Sequence, residues 1–362
     1  MSSYEYMVCA PYALYIGAAT DIMACKTATG LVHWRPDLSV CQVNRDGCTV
    51  DLNIPKADSA EHAWALGART LIITILSDLA EEDRDVITSY IKAGFDIAGT
   101  FHTPIDRDAK IASMATVAGV RIVDLRTINQ QYSLATGSKR KGLRLLTCGS
   151  DGNIGKKFTA LTLTRAAERF GINCTFRPTG QTGRLIAGPN ARAVVVDTVP
   201  ADFASGAVEW LTSANNDPGH WDIIEGQGGI GHPAWGMDSM ALLYGAQPDL
   251  IVFCVDPSRK YNRRTELPIM GIAEDVDLCL QLARRVNPRA HLGAFSVNRS
   301  RADENIDEFY SMLDVIASER IVYPYDIPIF DPSSPTAVDS IKSLMNRMNA
   351  MSLSATSIKG DQ

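Results

Sequence analysis

No apolar run in this 362-residue sequence approaches the length that crosses a bilayer, and the opening stretch MSSYEYMVCAPYALYIG lacks the basic segment and apolar core of an export signal. A cytoplasmic protein with no membrane partner is the expectation. Excess positive charge is also missing. A formal charge of -6 and a pI near 5.6 argue against a nucleic-acid partner, because phosphate backbones need a clustered basic surface. Any anionic ligand must therefore be met by local groups. The eight cysteines form no CxxC pair and sit mostly inside apolar runs, which reads as reduced thiols acting as small hydrophobes. The six histidines show no HxxxH or HExxH spacing, so no metal site is expected. The first third of the chain contains no GxGxxG, which removes the usual mark of a dinucleotide there. Internal repeats and low-complexity segments are lacking.

What is present is an ordinary globular balance, 46% hydrophobic and 21% charged, in a chain long enough for two domains. Short apolar runs alternate with helix-period segments, the pattern of parallel sheets covered by helices, and the fold class is α/β. In the first third, strands are read at ALYIG, 68–75, 95–101 and 120–126, with helices near 59–67, 82–93 and 108–118. This is a small Rossmann-like unit. The polar, glycine-bearing segment YSLATGSKRKG, 132–142, reads as a linker, which sets the domains at 1–140 and 141–362. The second domain reads as a larger, mostly parallel α/β unit of P-loop type. Its strands are expected at 143–148, 172–176, 192–197, 221–225, 249–255 and 290–297. Its helices are expected at 156–169, 203–213, 238–245, 273–286, 302–317 and 334–351, before a frayed tail.

Within LLTCGSDGNIGKKFTAL, 145–161, a glycine-rich turn joins a strand to a helix, so successive backbone N–H groups converge on one point and attract phosphate. Gly149, Ser150, Gly152, Asn153 and Gly155 form the turn, and Lys156 supplies a mobile ammonium. The loop is one residue longer than GxxxxGK[ST], a lengthening that resembles the strand, turn and helix of dethiobiotin synthetase. Lys157 stands where a magnesium-ligating hydroxyl is usual, and Thr159, on nearly the same helix face as Lys156, is its expected stand-in.

Three further segments follow strands at what should be the same sheet edge. HWDIIEGQGGIGHP, 220–233, brings Asp222, Glu225, Gln227 and His232, with Glu225 the first choice for general base or metal contact and His232 the second. FRPTGQTGRLIAG, 176–188, offers Arg177 or Arg184 to a carboxylate or phosphate, beside Thr179, Gln181 and Thr182. VDPSRKYNRR, 255–264, adds Arg259 and Lys260. Each has a bland counterpart: a capping or salt-bridge role for Glu225, a satisfied structural histidine for His232, solvated loops for the arginines.

Taken in order and spacing, LLTCGSDGNIGKKFTAL, FRPTGQTGRLIAG, DFASGAVEWL, HWDIIEGQG, HP and GAQPDLIVFCVDPSR resemble the D-glutamate N-acetyltransferase (DgcN) family. KTATGLVHWRPDLSVCQ and GARTLIITI extend the resemblance over nearly the whole chain. It implies transfer of an acetyl group from acetyl-CoA to the amine of D-glutamate or a related amino acid. On that reading residues 149–156, with Lys157 and Thr159, hold coenzyme A phosphates. Arg177 and Arg259 hold substrate carboxylates, with Thr179, Gln181, Thr182 and Gln227 lining the site. Glu225 or His232 takes the ammonium proton, and Asp151 completes the catalytic set. The sequence departs from the family with GIGHPA after EGQG and CVDPSR after the later strand, so Val255, Asp256, Gly229 and Gly231 mark an altered acceptor region widened by glycine. A homo-oligomer is the expected assembly. The runner-up is an ATP- and magnesium-dependent ligase or kinase-like enzyme acting on a small carboxylic acid or amine, with Asp151, Thr159 and Glu225 around the metal. A regulatory nucleotide sensor is the non-enzymatic alternative.

Overall fold

The computed structural model describes residues 8–75, 79–99, 105–127, 130–214, 217–300, 306–322 and 324–357. The far ends of the expected strand at 95–101 and helix at 302–317, and the last residues of the tail, lie outside them. The chain divides into two compact units, 1–130 with 181–191, and 131–180 with 192–362.

In the first unit, β1 (Tyr12–Gly17), β2 (Ser39–Asn44), β3 (Thr70–Ile73), β4 (Asp96–Gly99) and β5 (Ile122–Asp124) form an all-parallel sheet in the order β2-β1-β3-β4-β5. Every residue of β1 and β3 is buried, which is why both read as unbroken apolar runs: helices cover both faces and leave no wet side to alternate with. Those helices are α1 (Lys26–Trp34), α2 (Ala60–Ala65), α3 (Glu81–Lys92) and α4 (Ala109–Ala118). Local chemistry sets their ends. Asp108 accepts from the Lys110 and Ile111 N–H groups to start α4, and Gly119 in the left-handed region stops it. At α3 the Asp83 carboxylate accepts from Ala80 N, Tyr15 Oη and Arg45 Nε at 2.8, 2.6 and 2.9 Å, so a buried acid is fully partnered. The sequence reading named neither α1 nor β2.

Helix α6 (Gln181–Ala187) also belongs to this unit. It packs on α1: Thr182 Oγ1 lies 3.0 Å from Thr27 Oγ1, and Arg35 Nη1 donates to Ile186 O at 3.1 Å. Segment 176–188 was expected to be an open loop. Half of it is this helix, with Leu185 and Ile186 buried.

The second unit carries β6 (Leu143–Gly149), α5 (Lys156–Arg169), β7 (Cys174–Arg177), α7 (Ala201–Leu211), β8 (Trp221–Ile224), α8 (Gly236–Ala246), β9 (Leu250–Val255), α9 (Ile272–Val286), β10 (His291–Val297), α10 (Ile306–Ser318), β11 (Ile329–Phe330) and α11 (Val338–Ser357). The parallel sheet runs β11-β10-β9-β6-β8-β7. From β6 the chain passes over to β7, returns to β8 beside β6, then crosses to β9 on the other side. Strand β6 is thus the point where strand order reverses, and the crevice beyond its carboxyl end is where such sheets take ligands. Leu146 lies beside both Ile224 and Ile251, and Gly149 beside Cys254, so β6, β8 and β9 release their loops close together. Leu146, Ile224, Val252, Phe253 and Phe295 are fully buried beneath that edge.

One expected strand is absent. Residues 192–197 form no strand, and Val196–Thr198 are a short 3-10 turn. Val194 and Val196 donate their N–H groups to Pro178 and Thr179, beyond the end of β7. The apolar run is buried, as a strand would be, yet it has no strand to pair with at that point.

Candidate active site

Strand β6 ends at Gly149 and α5 begins at Lys156. The turn between them needs left-handed backbone at Asn153 (φ 61°) and Gly155 (φ 104°), the second beyond what a side chain tolerates comfortably. The first turn of α5 has no carbonyls four residues back, so its N–H groups face the loop with the positive end of the helix dipole. Lys156 is 5% exposed. Its Nζ donates to the carbonyl oxygens of Asp151 and Gly228, and among the described residues it forms no ion pair. Burial pulls its pKa below the ordinary lysine value. A buried ammonium held only by carbonyls is a seat for an anion.

The segment after β8 is pressed against this turn. Gly226 N donates to Thr147 Oγ1 at 2.9 Å, and a Cβ on Gly226 would lie 1.6 Å from Thr147 O, so no other residue fits. Glu225 is 4% exposed; its Oε2 accepts from Thr179 N at 3.0 Å, while Thr179 Oγ1 donates to Glu225 O at 2.7 Å and accepts from Gln227 Nε2 at 3.1 Å. Burial raises the Glu225 pKa against the opposing pull of Lys157, the Thr179 and Gly180 amides and Lys156. Lys157 moves the other way, lowered by burial. Burial raises the proton affinity of the carboxyl and lowers that of the neighbouring ammoniums, directions that favour proton transfer at this site.

Asp151 is fully buried. Its Oδ1 accepts from Gly152 N at 2.6 Å, its Oδ2 accepts from Arg263 N at 2.9 Å, and Arg259 Nη1 lies 3.4 Å from Oδ2. It clasps the loop after β9 onto the turn after β6. His232 Nδ1 accepts from Ala234 N and Trp235 N, its Nε2 lies 3.0 Å from Arg263 O, and its ring stacks on Trp235 at 4.1 Å. With Nδ1 used as an acceptor, Nε2 is the protonated nitrogen and donates to that carbonyl. Both nitrogens are engaged, and His232 has no lone pair left for a substrate proton.

The structure thus brings Ser150, Asp151, Gly152, Lys156, Gly228, His232 and Arg259 into one cluster, and Thr179, Glu225 and Gln227 into another on the adjoining strand end. Two other expected residues of the second unit are engaged elsewhere within it. Arg177 Nε donates to Asp222 Oδ1 at 2.5 Å, with both residues buried, so the guanidinium completes an internal pair rather than facing a substrate carboxylate. Thr159 Oγ1 lies 2.8 Å from Ser296 Oγ and takes the Cys254 thiol as donor at 3.6 Å; its hydroxyl points into the sheet, away from any magnesium on the loop. Gln181 and Thr182 belong to α6 in the first unit, as does Arg184, whose Nη1 donates to Leu125 O and Thr127 O. Sequence reasoning missed Thr147 and Trp235, which hold the loop after β8 by a hydrogen bond to Gly226 N and by stacking on His232. A cavity of about 390 Å³ bordered by Arg45, Cys48, Lys56, Ser59 and Tyr90 lies wholly within the first unit and shares none of these residues.

Two family models match: residues 133–340 match the domain of unknown function DUF1611_C, a P-loop domain, and residues 43–128 match DUF1611_N, a Rossmann-like domain. A D-glutamate N-acetyltransferase of Tritonibacter scottomollicae is 37% identical over 302 residues, 82% of this chain and 89% of that protein. Another from Pseudoalteromonas sp is 35% identical over 337 residues, 91% and 97% of the two chains. The chain belongs to the D-glutamate N-acetyltransferase family. The crystal structure of a DUF1611 family protein from Anabaena variabilis, 23% identical, shares the fold with a TM-score of 0.80 over 93% of this chain and 100% of that one. Family membership and geometry agree on the second unit as a P-loop domain. Among the described residues no helix is long and apolar enough to cross a membrane.

Proposed function

We propose that this chain transfers the acetyl group of acetyl-CoA to the amine of D-glutamate or a closely related amino acid. The observation that carries the reading is Lys156: a buried ammonium at the start of a 14-residue helix, hydrogen-bonded to two carbonyls and, among the described residues, in no direct ion pair. Such a group matches a diphosphate. The names of the two relatives supply the acceptor. The engagements of Thr159 and Asp151 leave neither aimed at a cation beside that diphosphate, which favours coenzyme A over magnesium-ATP as the phosphate carrier.

In this reading the N–H groups at the start of α5 and the Lys156 ammonium bind the diphosphate. Acetyl-CoA supplies an activated thioester. Glu225, with its proton affinity raised by burial, takes a proton from the acceptor's ammonium, so that the free amine attacks the thioester carbonyl carbon. As the C–S bond breaks, the nitrogen loses a second proton and the departing thiolate gains one. The products are the N-acetyl amino acid, coenzyme A and one proton released to solvent.

Thermal unfolding tests the donor. Acetyl-CoA without magnesium, at a hundred times its dissociation constant, is expected to add about 2.7 kcal/mol of stability, and Lys156→Ala to abolish the gain while remaining folded. Stabilisation by magnesium-ATP alone, or no thiol release with D-glutamate and a panel of D- and L-amino acids, rejects the reading.

A further inference from the structure

The cleft of about 390 Å³ in the first unit takes no part in the chemistry derived above. It opens beyond the carboxyl end of β2, between the turn that follows that strand, the approach to α2 and the flank of α3. Ligands of parallel sheets bind beyond the carboxyl ends of the strands, and the volume is one that small-molecule sites have.

One cation of the cleft is fixed in place and left with free donors. Arg45 N donates to Gly17 O at 3.1 Å, and Cys48 N donates to Arg45 O at 3.2 Å, which holds the turn against the end of β1. The Arg45 side chain donates its Nε to Asp83 Oδ1 at 2.9 Å, and Asp83 is 3% exposed and gripped in turn by Tyr15 Oη and Ala80 N. The guanidinium is anchored through one nitrogen, while its two terminal nitrogens make no hydrogen bond among the described residues. Such a fork grips a carboxylate with two parallel bonds. Lys56 lines the same cleft, and among the described residues its ammonium has neither a hydrogen bond nor an ion pair.

Two acids share the lining, Asp46 and Asp58, and both are exposed. The Asp58 side chain is 83% exposed against 31% for Arg45, so that carboxylate stands at the mouth and the guanidinium deeper. Asp58 Oδ2 comes no closer than 3.9 Å to His62 Nδ1, which already accepts from Asp58 N. Asp83 balances Arg45, so the cleft as a whole carries no excess of positive charge. A simple anion entering it would meet two carboxylates; a molecule of both signs would find a partner for each of its charges.

We infer that this cleft is a second ligand site, one that takes a free acidic amino acid. One carboxylate rests on the Arg45 fork and the other on Lys56, the ammonium lies between the acids of the mouth, and the methylenes pack on Val86 and Tyr90. The inference does not depend on the acetyl-transfer reading, none of whose steps uses these residues.

Hydrogen exchange on the full-length protein, followed peptide by peptide in a mass spectrometer, tests it locally. Glutamate, supplied as each enantiomer, is expected to slow exchange across 44–48 and 56–59. Lys56→Gln, a change at an exposed position, should raise the concentration giving half of that protection about tenfold or more, and so should Arg45→Lys, which keeps the charge and gives up the fork. Glutarate, which has both carboxylates and no ammonium, and inorganic phosphate should each protect about tenfold more weakly than glutamate. Equal protection by glutarate or phosphate, protection unchanged in both variants, or none from either enantiomer overturns the site. Protection here with no thiol release from acetyl-CoA removes the transfer reading and leaves the cleft standing; thiol release without protection here does the reverse.

Discussion

Buried charge decides the chemistry residue by residue, and the same burial makes it measurable. Asp275 carries a folded-state pKa of about 7 against an ordinary value of 3.8, so the native protein binds more protons than the unfolded chain between those limits. Its contribution to stability is complete below about pH 4 and is lost as pH rises through 7, a loss of a few kcal/mol in order of magnitude. Denaturant titrations from pH 4 to 8 should show Asp275→Asn lacking this decline and more stable than wild type at pH 8; identical slopes would mean that the carboxyl has a cation partner. Individual residues were legible as candidates where the neighbouring sequence marks them. Glu225 follows a strand directly, Lys156 opens the helix after the turn, and both announce themselves by glycine neighbours. Arg177 and Thr159 did not, because what they touch, Asp222 and Ser296, comes from other strands, and only register brings those alongside.

At the scale of elements, the strand-turn-helix of β6 and α5 and the alternation of the second unit could be read with ends within a few residues, since apolar period and glycine punctuation agree there. Segment 192–197 could not, because burial alone does not distinguish a strand from an apolar run docked on Pro178 and Thr179. Helix α6 escaped because QTGRLIA, with a TG step inside it and another just before it, has the composition of a turn. The tightest junction between elements is Gly226 against Thr147, where β8's outgoing backbone crosses β6. Gly226→Ala is expected to cost about 4 kcal/mol or more, because its Cβ would stand 1.6 Å from a backbone oxygen that cannot move without breaking the sheet. Urea unfolding checks this; a loss below about 1 kcal/mol would show that the two strands can part.

Across the whole molecule the covalent order and the compact units do not coincide, for the chain leaves the first unit after residue 130, re-enters it for 181–191, and leaves again. A single cut therefore cannot separate them cleanly. A fragment of 131–362 is expected to expose Leu185 and Ile186, which α1 otherwise helps to bury, and to be recovered mainly as aggregate, whereas co-expression with 1–130 restores solubility. Recovery of the fragment alone as a soluble monomer with a sharp melting transition would contradict this. The interruption also orders events on the ribosome. The fifth strand of the first sheet is complete at Asp124, but the helix that packs on α1 emerges only with Gln181, after the P-loop strand has already been made. At about 5–20 residues per second that interval lasts several seconds, during which the nascent first unit carries an uncovered apolar flank and is most open to chaperones.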